Sequence, residues 1–386
     1  MYFRVKCWNM SFWRRMVLAS VGLLLSIQNA TANDLVKEEN LLLPIQLGSK
    51  TEKLETLVVR PVDGDHFPLV LIVNGSAGAN QSEMHPEWLA HIAHDFAHRG
   101  WIAASIVWPG YGRSTGSFMN DAGDCSRPNV SLFLNAHGDE LAAALKTLRT
   151  RPDVNPSVTL GLGISIGGAS MLDLAGRTDR PLTAVINISG GVYHYTTVGL
   201  ADSNCSHFQD DLVRNFTEFG RGNPTPTLWF YAANDPYFGP DLAQRLLAGY
   251  RSGGGAVDYV GLPPFGQDGH TLYKQTANLL LEPGVDDFLR RNHLPSANED
   301  ELTPLLSALT PVDRSSAQLY LKQVTEKAAA IAVDGRGFYW SYGLRSIEDV
   351  RQQALARCEN KSGKICNIIA ENAHLVDGWQ RTITKR

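Results

Sequence analysis

The chain has 386 residues, 44% of them apolar and 19% charged, with 35 Gly and 19 Pro. That is a globular composition, which excludes a disordered, collagen-like or coiled-coil protein. The formal net charge of −4 becomes −8 once Arg4, Lys6, Arg14 and Arg15 are set aside with the first 32 residues. Such a surface repels phosphate backbones, so no nucleic-acid partner is expected.

At the N-terminus, Arg14 and Arg15 precede the mostly apolar run Met16 to Ile27, and Gln28-Asn29-Ala30-Thr31-Ala32 follows. A basic head, a short apolar stretch and a small-x-small site predict a secretory signal peptide over residues 1–32, cleaved after Ala32. An uncleaved anchor is the alternative, but so short a run reaches about 18 Å as a helix against about 30 Å of hydrocarbon. No later segment is apolar for long enough to span a bilayer. The mature protein is therefore expected to be exported, periplasmic or secreted, with no stable membrane insertion.

Export changes how the cysteines read. Cys7 leaves with the signal, and Cys125, Cys205, Cys358 and Cys366 remain. An even number in an oxidising compartment suggests two disulfides, with three ways of pairing. Pairing by neighbourhood favours Cys125–Cys205 and Cys358–Cys366. None sits in a CxxC motif or near a histidine cluster, so no zinc or redox role is expected of them.

From about residue 54 to 292, β-rich runs alternate with helical patterns, and the main domain is expected over 33–292. Leu69–Val73, Trp101–Trp108, Val158–Leu162, Ala184–Ile188 and Leu228–Ala233 lack polar alternation. Strands buried on both faces of a parallel sheet read this way. Helices are predicted near Glu87–His98, Asp139–Thr150, Ile166–Arg177, Pro240–Arg251 and Leu272–Arg291. The rhythm points to an open α/β sheet whose ligands bind outside the carboxyl ends of its strands.

The first of these helices carries His91, His94 and His98, with His85 upstream. His94 and His98 are spaced i, i+4, as zinc ligands on a helix would be. No Glu follows the first His as HExxH requires, and no third ligand is evident. The helix also reads as amphipathic, with Trp88, Leu89, Ile92, Phe96 and Ala97 inward, so the histidines are read as a solvated face and no metal is expected.

Two connections are too long for plain crossovers, from Pro109 to about Gly138 and from Gly190 to about Pro226. Long loops inside a compact domain are usually functional. Each follows a strand and each carries one cysteine, Cys125 or Cys205. A bridge between them would arch over the mouth of a site, across three strand spacings of roughly 14 Å. Trp108, Tyr111, Phe118, Tyr193 and Tyr195 lie on these loops and are expected to line an aromatic pocket.

Between the two loops stands Gly161-Leu162-Gly163-Ile164-Ser165-Ile166-Gly167-Gly168, a G-x-S-x-G centred on Ser165. A buried strand enters it and a helix-prone stretch leaves it, which is the setting of a nucleophile elbow. A phosphate-binding turn is the alternative, but neither G-x-G-x-x-G nor a following lysine supports it. A serine hydroxyl needs a base to take its proton, and the base needs a carboxylate to orient it. In this fold the chain order is serine, acid, histidine. Asp235 ends the strand Leu228–Ala233 through Asn234-Asp235-Pro236, and His270 follows in a Gly-rich loop. Asp268 is the runner-up acid, although two residues from His270 it would struggle to reach Nδ1. The oxyanion hole needs two backbone N–H groups, one from Ile166 and one from the loop Asn74-Gly75-Ser76-Ala77-Gly78, with Ser76 as the best candidate.

Residues 293–315 are rich in Pro, Ser, Asn and acids and read as a linker. A small α+β unit is expected over 316–386: Asp334-Gly335 as a hairpin turn, a helix from the N-cap Ser346 to Cys358, and a strand over Ile365–Ala370. About 60 residues is small for independent stability, so a Cys358–Cys366 staple is consistent with it.

With these motifs in place, residues 50 to 292 resemble the α/β-hydrolase superfamily, and within it exported members of the dienelactone hydrolase-like family. The resemblance rests on the elbow, on Trp108-Pro109-Gly110-Tyr111-Gly112-Arg113-Ser114-Thr115-Gly116, and on the loops Tyr231–Phe238 and Pro263–His270. It implies a mostly parallel twisted sheet with helices on both faces, and hydrolysis of carboxylic or lactone esters without a metal or cofactor. Dienelactone hydrolases proper use a Cys nucleophile where this chain has Ser165, and many relatives have His-Gly where it has Asn74-Gly75. The expected activity is cleavage of a small-molecule ester or lactone through an acyl-enzyme on Ser165. A serine peptidase and a non-catalytic binding module are the rival readings.

Overall fold

Leu69, Leu71 and Val73 enter one hydrophobic core and Val70 and Ile72 another, and all five are fully buried. Their strand is therefore covered on both faces, as an unbroken apolar run requires. The computed structural model describes residues 35–383 apart from 79, 195–204, 298–301, 324 and 344–345. The expected signal segment and Tyr195 lie outside the described residues.

Eight strands form the main sheet: β1 (Val36–Leu47), β2 (Lys50–Pro61), β3 (Phe67–Val73), β4 (Ile102–Ile106), β5 (Val154–Ile164), β6 (Ala184–Ile188), β7 (Thr227–Ala232) and β8 (Val257–Leu262). Their order is β1-β2-β4-β3-β5-β6-β7-β8. β2 pairs antiparallel with both β1 and β4, and from β4 to β8 the pairing is parallel. Six helices pack on it: α1 (Ala90–His98), α2 (Val130–Leu148), α3 (Ile166–Ala175), α4 (Ser206–Gly220), α5 (Pro240–Ser252) and α6 (Asn278–Arg291). Residues of α1 and α6 join the core on one face, and those of α2 to α5 the core on the other. This is the α/β-hydrolase fold.

Several boundaries differ from those expected. The sheet begins earlier, with the β1–β2 hairpin. β1 is an edge strand, which is why it tolerates Pro44. α2 starts at Val130 rather than Asp139, and α4 occupies ground expected to be loop. The last helix of the domain starts at Asn278, after short 3-10 turns over Gly269–Thr271 and Gln275–Ala277.

Both cysteine pairs are bridged as expected. Cys125 and Cys205 have Cα atoms 5.5 Å apart and join the segments that follow β4 and β6. Three spacings separate those strands in the sheet. Cys358 and Cys366, with Cα atoms 6.2 Å apart, tie the C-terminal elements together. Among the described residues, no helix is long and apolar enough to cross a membrane.

The C-terminal elements are α7 (Thr303–Ala308), α8 (Pro311–Leu321), β9 (Lys327–Ala332), β10 (Phe338–Tyr342), α9 (Ile347–Ser362), β11 (Cys366–Glu371), β12 (His374–Leu375) and α10 (Trp379–Ile383). The strands form a second sheet, β10-β9-β11-β12. The residues expected as a linker over 293–315 include all of α7 and the start of α8. Their Leu302, Leu305 and Leu309 recur at helical spacing and pack with Tyr320, Ile331 and Phe338 in a closed core. α9 covers the opposite face of the sheet with Val350, Ala354 and Cys358, capped as expected by Ser346, whose hydroxyl accepts the Asp349 N–H at 3.4 Å.

Candidate active site

β5 delivers Ser165 to the carboxyl edge of the sheet, and α3 begins one residue later. Ser165 has φ 55° and ψ −123°, a left-handed conformation uncommon for a residue with a side chain. The turn is tight enough to exclude side chains on either side. A Cβ on Gly163 would stand 2.2 Å from the Gly167 carbonyl oxygen, and one on Gly167 would stand 2.7 Å from the Asn74 carbonyl oxygen. Ser165 is held by its own N–H, donated to the Ile188 carbonyl at 3.0 Å, and by its carbonyl, which accepts the Gly191 N–H at 3.0 Å.

Asp235 follows β7 and is buried. Its Oδ1 accepts the backbone N–H groups of Tyr237 (2.9 Å) and Phe238 (3.0 Å), which fixes the carboxylate plane. Its Oδ2 lies 3.0 Å from His270 Nδ1. Burial alone would raise the Asp235 pKa. The hydrogen bond and charge of His270, with the two backbone N–H groups, outweigh burial and hold it below the usual carboxylate value. Asp268, the other candidate acid, accepts the backbone N–H of His270 at 2.9 Å and so caps the turn on which the imidazole stands.

Ser165 and His270 line one cavity of 210 Å³ with Asn74, Gly75, Ser76, Met84, Trp88, Tyr193, Tyr237 and Tyr273 among its walls. Ile166 is the first residue of α3, where N–H groups have no acceptor within the helix and the helix dipole favours negative charge. The 74–78 loop is braced from behind: Trp108 Nε1 donates to the Asn74 carbonyl at 3.1 Å, and the Tyr111 hydroxyl accepts the Ala77 N–H at 3.3 Å. Gly75 is pressed against the serine, since a Cβ there would stand 2.7 Å from Ser165 Cβ. Gly75→Ala should therefore lower kcat at least about tenfold while the melting temperature stays within a few degrees, because a ~1 Å misplacement at a reacting atom is costly to rate. Steady-state kinetics beside thermal denaturation measure both.

The aromatic lining differs from the expectation. Trp108 and Tyr111 are fully buried and make tilted ring contacts with Phe118, which also packs on Phe133 and His137, so they belong to the core. Tyr193 does line the cavity, with its ring 4.3 Å from that of Tyr237. Trp88, expected to point inward, is 47% exposed at the cavity wall. A 3-10 turn over Pro86–Leu89 precedes α1 and shifts Trp88 out of phase with the helix stripe.

The α1 histidines are not a solvated face. His94 is buried, with Nε2 2.7 Å from Glu38 Oε1 and Nδ1 3.1 Å from Glu326 Oε1. His98 Nε2 lies 2.7 Å from the same Glu326 oxygen. His91 bonds to the Tyr273 carbonyl at 3.0 Å. The C-terminal elements cover this side of α1, which no local pattern in the helix could announce.

No family model matches the chain. Over 177 residues it is 26% identical to an uncharacterised protein of Escherichia coli, YfhR, and the match spans 45% of this chain and 54% of that relative. Among solved structures it is similar to a putative dienelactone hydrolase from Klebsiella pneumoniae, at 14% identity over 60% of this chain and 86% of that one, with a TM-score of 0.39. An esterase from Pyrococcus furiosus is similar at 14% identity, 67% and 91% coverage and a TM-score of 0.47. These likenesses are too distant to carry an activity or a substrate across.

Proposed function

We propose that the chain is an exported serine hydrolase that cleaves small carboxylic esters or lactones through an acyl-enzyme on Ser165. The observation that carries this reading is the 3.0 Å contact between His270 Nδ1 and Asp235 Oδ2, set in one cavity with a serine on a left-handed elbow. The Ser165 hydroxyl attacks the carbonyl carbon and passes its proton to Nε2 of His270. Asp235 keeps Nδ1 protonated and stabilises the imidazolium that forms. The N–H groups of Ile166 and Ser76 receive the oxyanion, each worth about 3 kcal/mol of barrier. His270 then protonates the departing alcohol, and as base it activates the water that releases the acid and restores Ser165.

The cavity volume of 210 Å³ falls below the range of about 300–1,000 Å³ that holds drug-sized ligands. Short acyl groups and small lactones fit it. Two disulfides support export to an oxidising compartment. The test is a fluorophosphonate probe followed by peptide mapping, with a panel of p-nitrophenyl esters, lactones and peptides alongside. Modification at Ser165 and a fall in kcat/KM from acetate and butyrate to longer esters are expected. An unlabelled Ser165 in folded protein would refute the reading.

A further inference from the structure

The seam between α1 and β9 brings together three side chains that the proposed hydrolytic chemistry leaves unused. His94 and His98 stand one turn apart on α1, and Glu326 comes from the residue before β9. One ring nitrogen of each histidine and a Glu326 carboxylate oxygen all lie within 4.8 Å of one another, and His94 Nδ1 and His98 Nε2 are the nitrogens that meet Glu326 Oε1. We propose that these residues form a binding site for a divalent transition metal of the zinc class, which clamps the C-terminal elements to the main domain.

The donor set favours that class. Two imidazole nitrogens and one carboxylate oxygen are the ligands of open tetrahedral zinc sites, where a water takes the fourth position. Calcium and magnesium prefer all-oxygen shells and fit poorly. The i, i+4 spacing aims both imidazoles at one point, and Glu326 reaches that point from across the seam.

The surroundings are built as those of a metal site are. His94 turns its other nitrogen to Glu38 Oε1 at 2.7 Å, the carboxylate–histidine arrangement that fixes ring orientation and raises ligand basicity. Glu326 Oε2 accepts the Asn372 side-chain N–H at 2.8 Å, which leaves Oε1 to face the imidazoles. All three ligand side chains are at most 8% exposed. Among the described residues, Glu326 is met by imidazoles and an amide rather than by Arg or Lys.

An entry path exists. His98 and Asn372 border a cavity of 510 Å³ that also touches Asp95, Thr325 and His374. That cavity shares no lining residue with the one around Ser165, so the ion acts as a clamp and takes no part in hydrolysis.

The test is a titration of the full-length exported protein, stripped with EDTA and dialysed, with ZnCl2 and with CoCl2. One equivalent of each should bind, Co2+ should give the visible bands of a four-coordinate ion, and ZnCl2 should raise the melting temperature by several degrees. His98→Ala and Glu326→Gln should each weaken binding at least about a hundredfold, and Glu38→Gln about 10- to 100-fold. His91→Gln, on the same helix, should bind as the native protein does. Ester turnover by the stripped protein should be unchanged. Absence of stoichiometric Zn2+ or Co2+ binding by natively folded unsubstituted protein would overturn the proposal, as would binding that survives both His98→Ala and Glu326→Gln. The first of these outcomes needs no variant to fold.

Discussion

Ser165→Ala should lower kcat on p-nitrophenyl butyrate by about a millionfold, to the residual rate that binding and oxyanion contacts supply. His270→Ala should cost nearly as much, and the double variant little more than either. Such non-additivity is the signature of groups that act as one unit: a base without its nucleophile has nothing to deprotonate, and a hydroxyl without its base is inert. Stopped-flow and long-incubation assays on the three variants measure it. Melting temperatures should move little, because Ser165 lacks a large buried surface and α3 keeps its backbone contacts. Losses that simply multiply in the double variant would mean that the two side chains work separately.

Asp235→Asn should lower kcat about 10⁴-fold with KM nearly unchanged, since the amide favours the wrong imidazole tautomer while leaving the geometry intact. The same substitution has a stability consequence with a definite sign. The folded-state pKa of Asp235 lies below its unfolded value, so the folded state binds fewer protons there. Its stabilisation is present above about pH 4 and is lost as pH falls through the depressed folded value. The melting-temperature gap between native protein and Asp235→Asn should therefore be flat near neutrality and close below about pH 4. A gap that instead widened in acid would show that the carboxylate is not held by the contacts described.

The residues around Ser165 were legible in the chain because each marker is local. The elbow needs glycine at close quarters, the acid ends an apolar strand, and the histidine stands in a Gly-rich loop downstream. Chain order then ranks them as candidates without any knowledge of distance. Asp235 and Asp268 could be told apart only weakly in sequence, and the structure gives them different partners: one takes Nδ1, the other the backbone N–H.

What the sequence hid follows from long-range packing. α4 follows the N-cap residue Cys205 without a side-chain cap, and its polar residues outnumber the single apolar stripe of Phe208, Leu212, Phe216 and Phe219. Without start signals that stripe reads as loop. The opening of α2 carries Asn135 and Gly138, both weak helix formers, and is stabilised instead by Phe133 and Leu134 in the core. The seam was invisible for a different reason. Glu326 stands 232 residues from His94, and a spacing of that length leaves no periodicity to read.

That same seam bears on how the protein comes to be made. Glu38 early in the chain, His94 and Asp95 in its first third, and Thr325, Glu326 and Asn372 late in it all meet there. Glu38 and His94 can pair with each other early, but His98 and Asp95 Oδ1 wait for Glu326 and Thr325 in the last stretch. The main sheet holds none of the late groups, so this side of α1 stays open until the C-terminal elements dock. A chain cut short before Glu326 would keep every group around Ser165 and lose the contacts that cover His94 and His98 on α1.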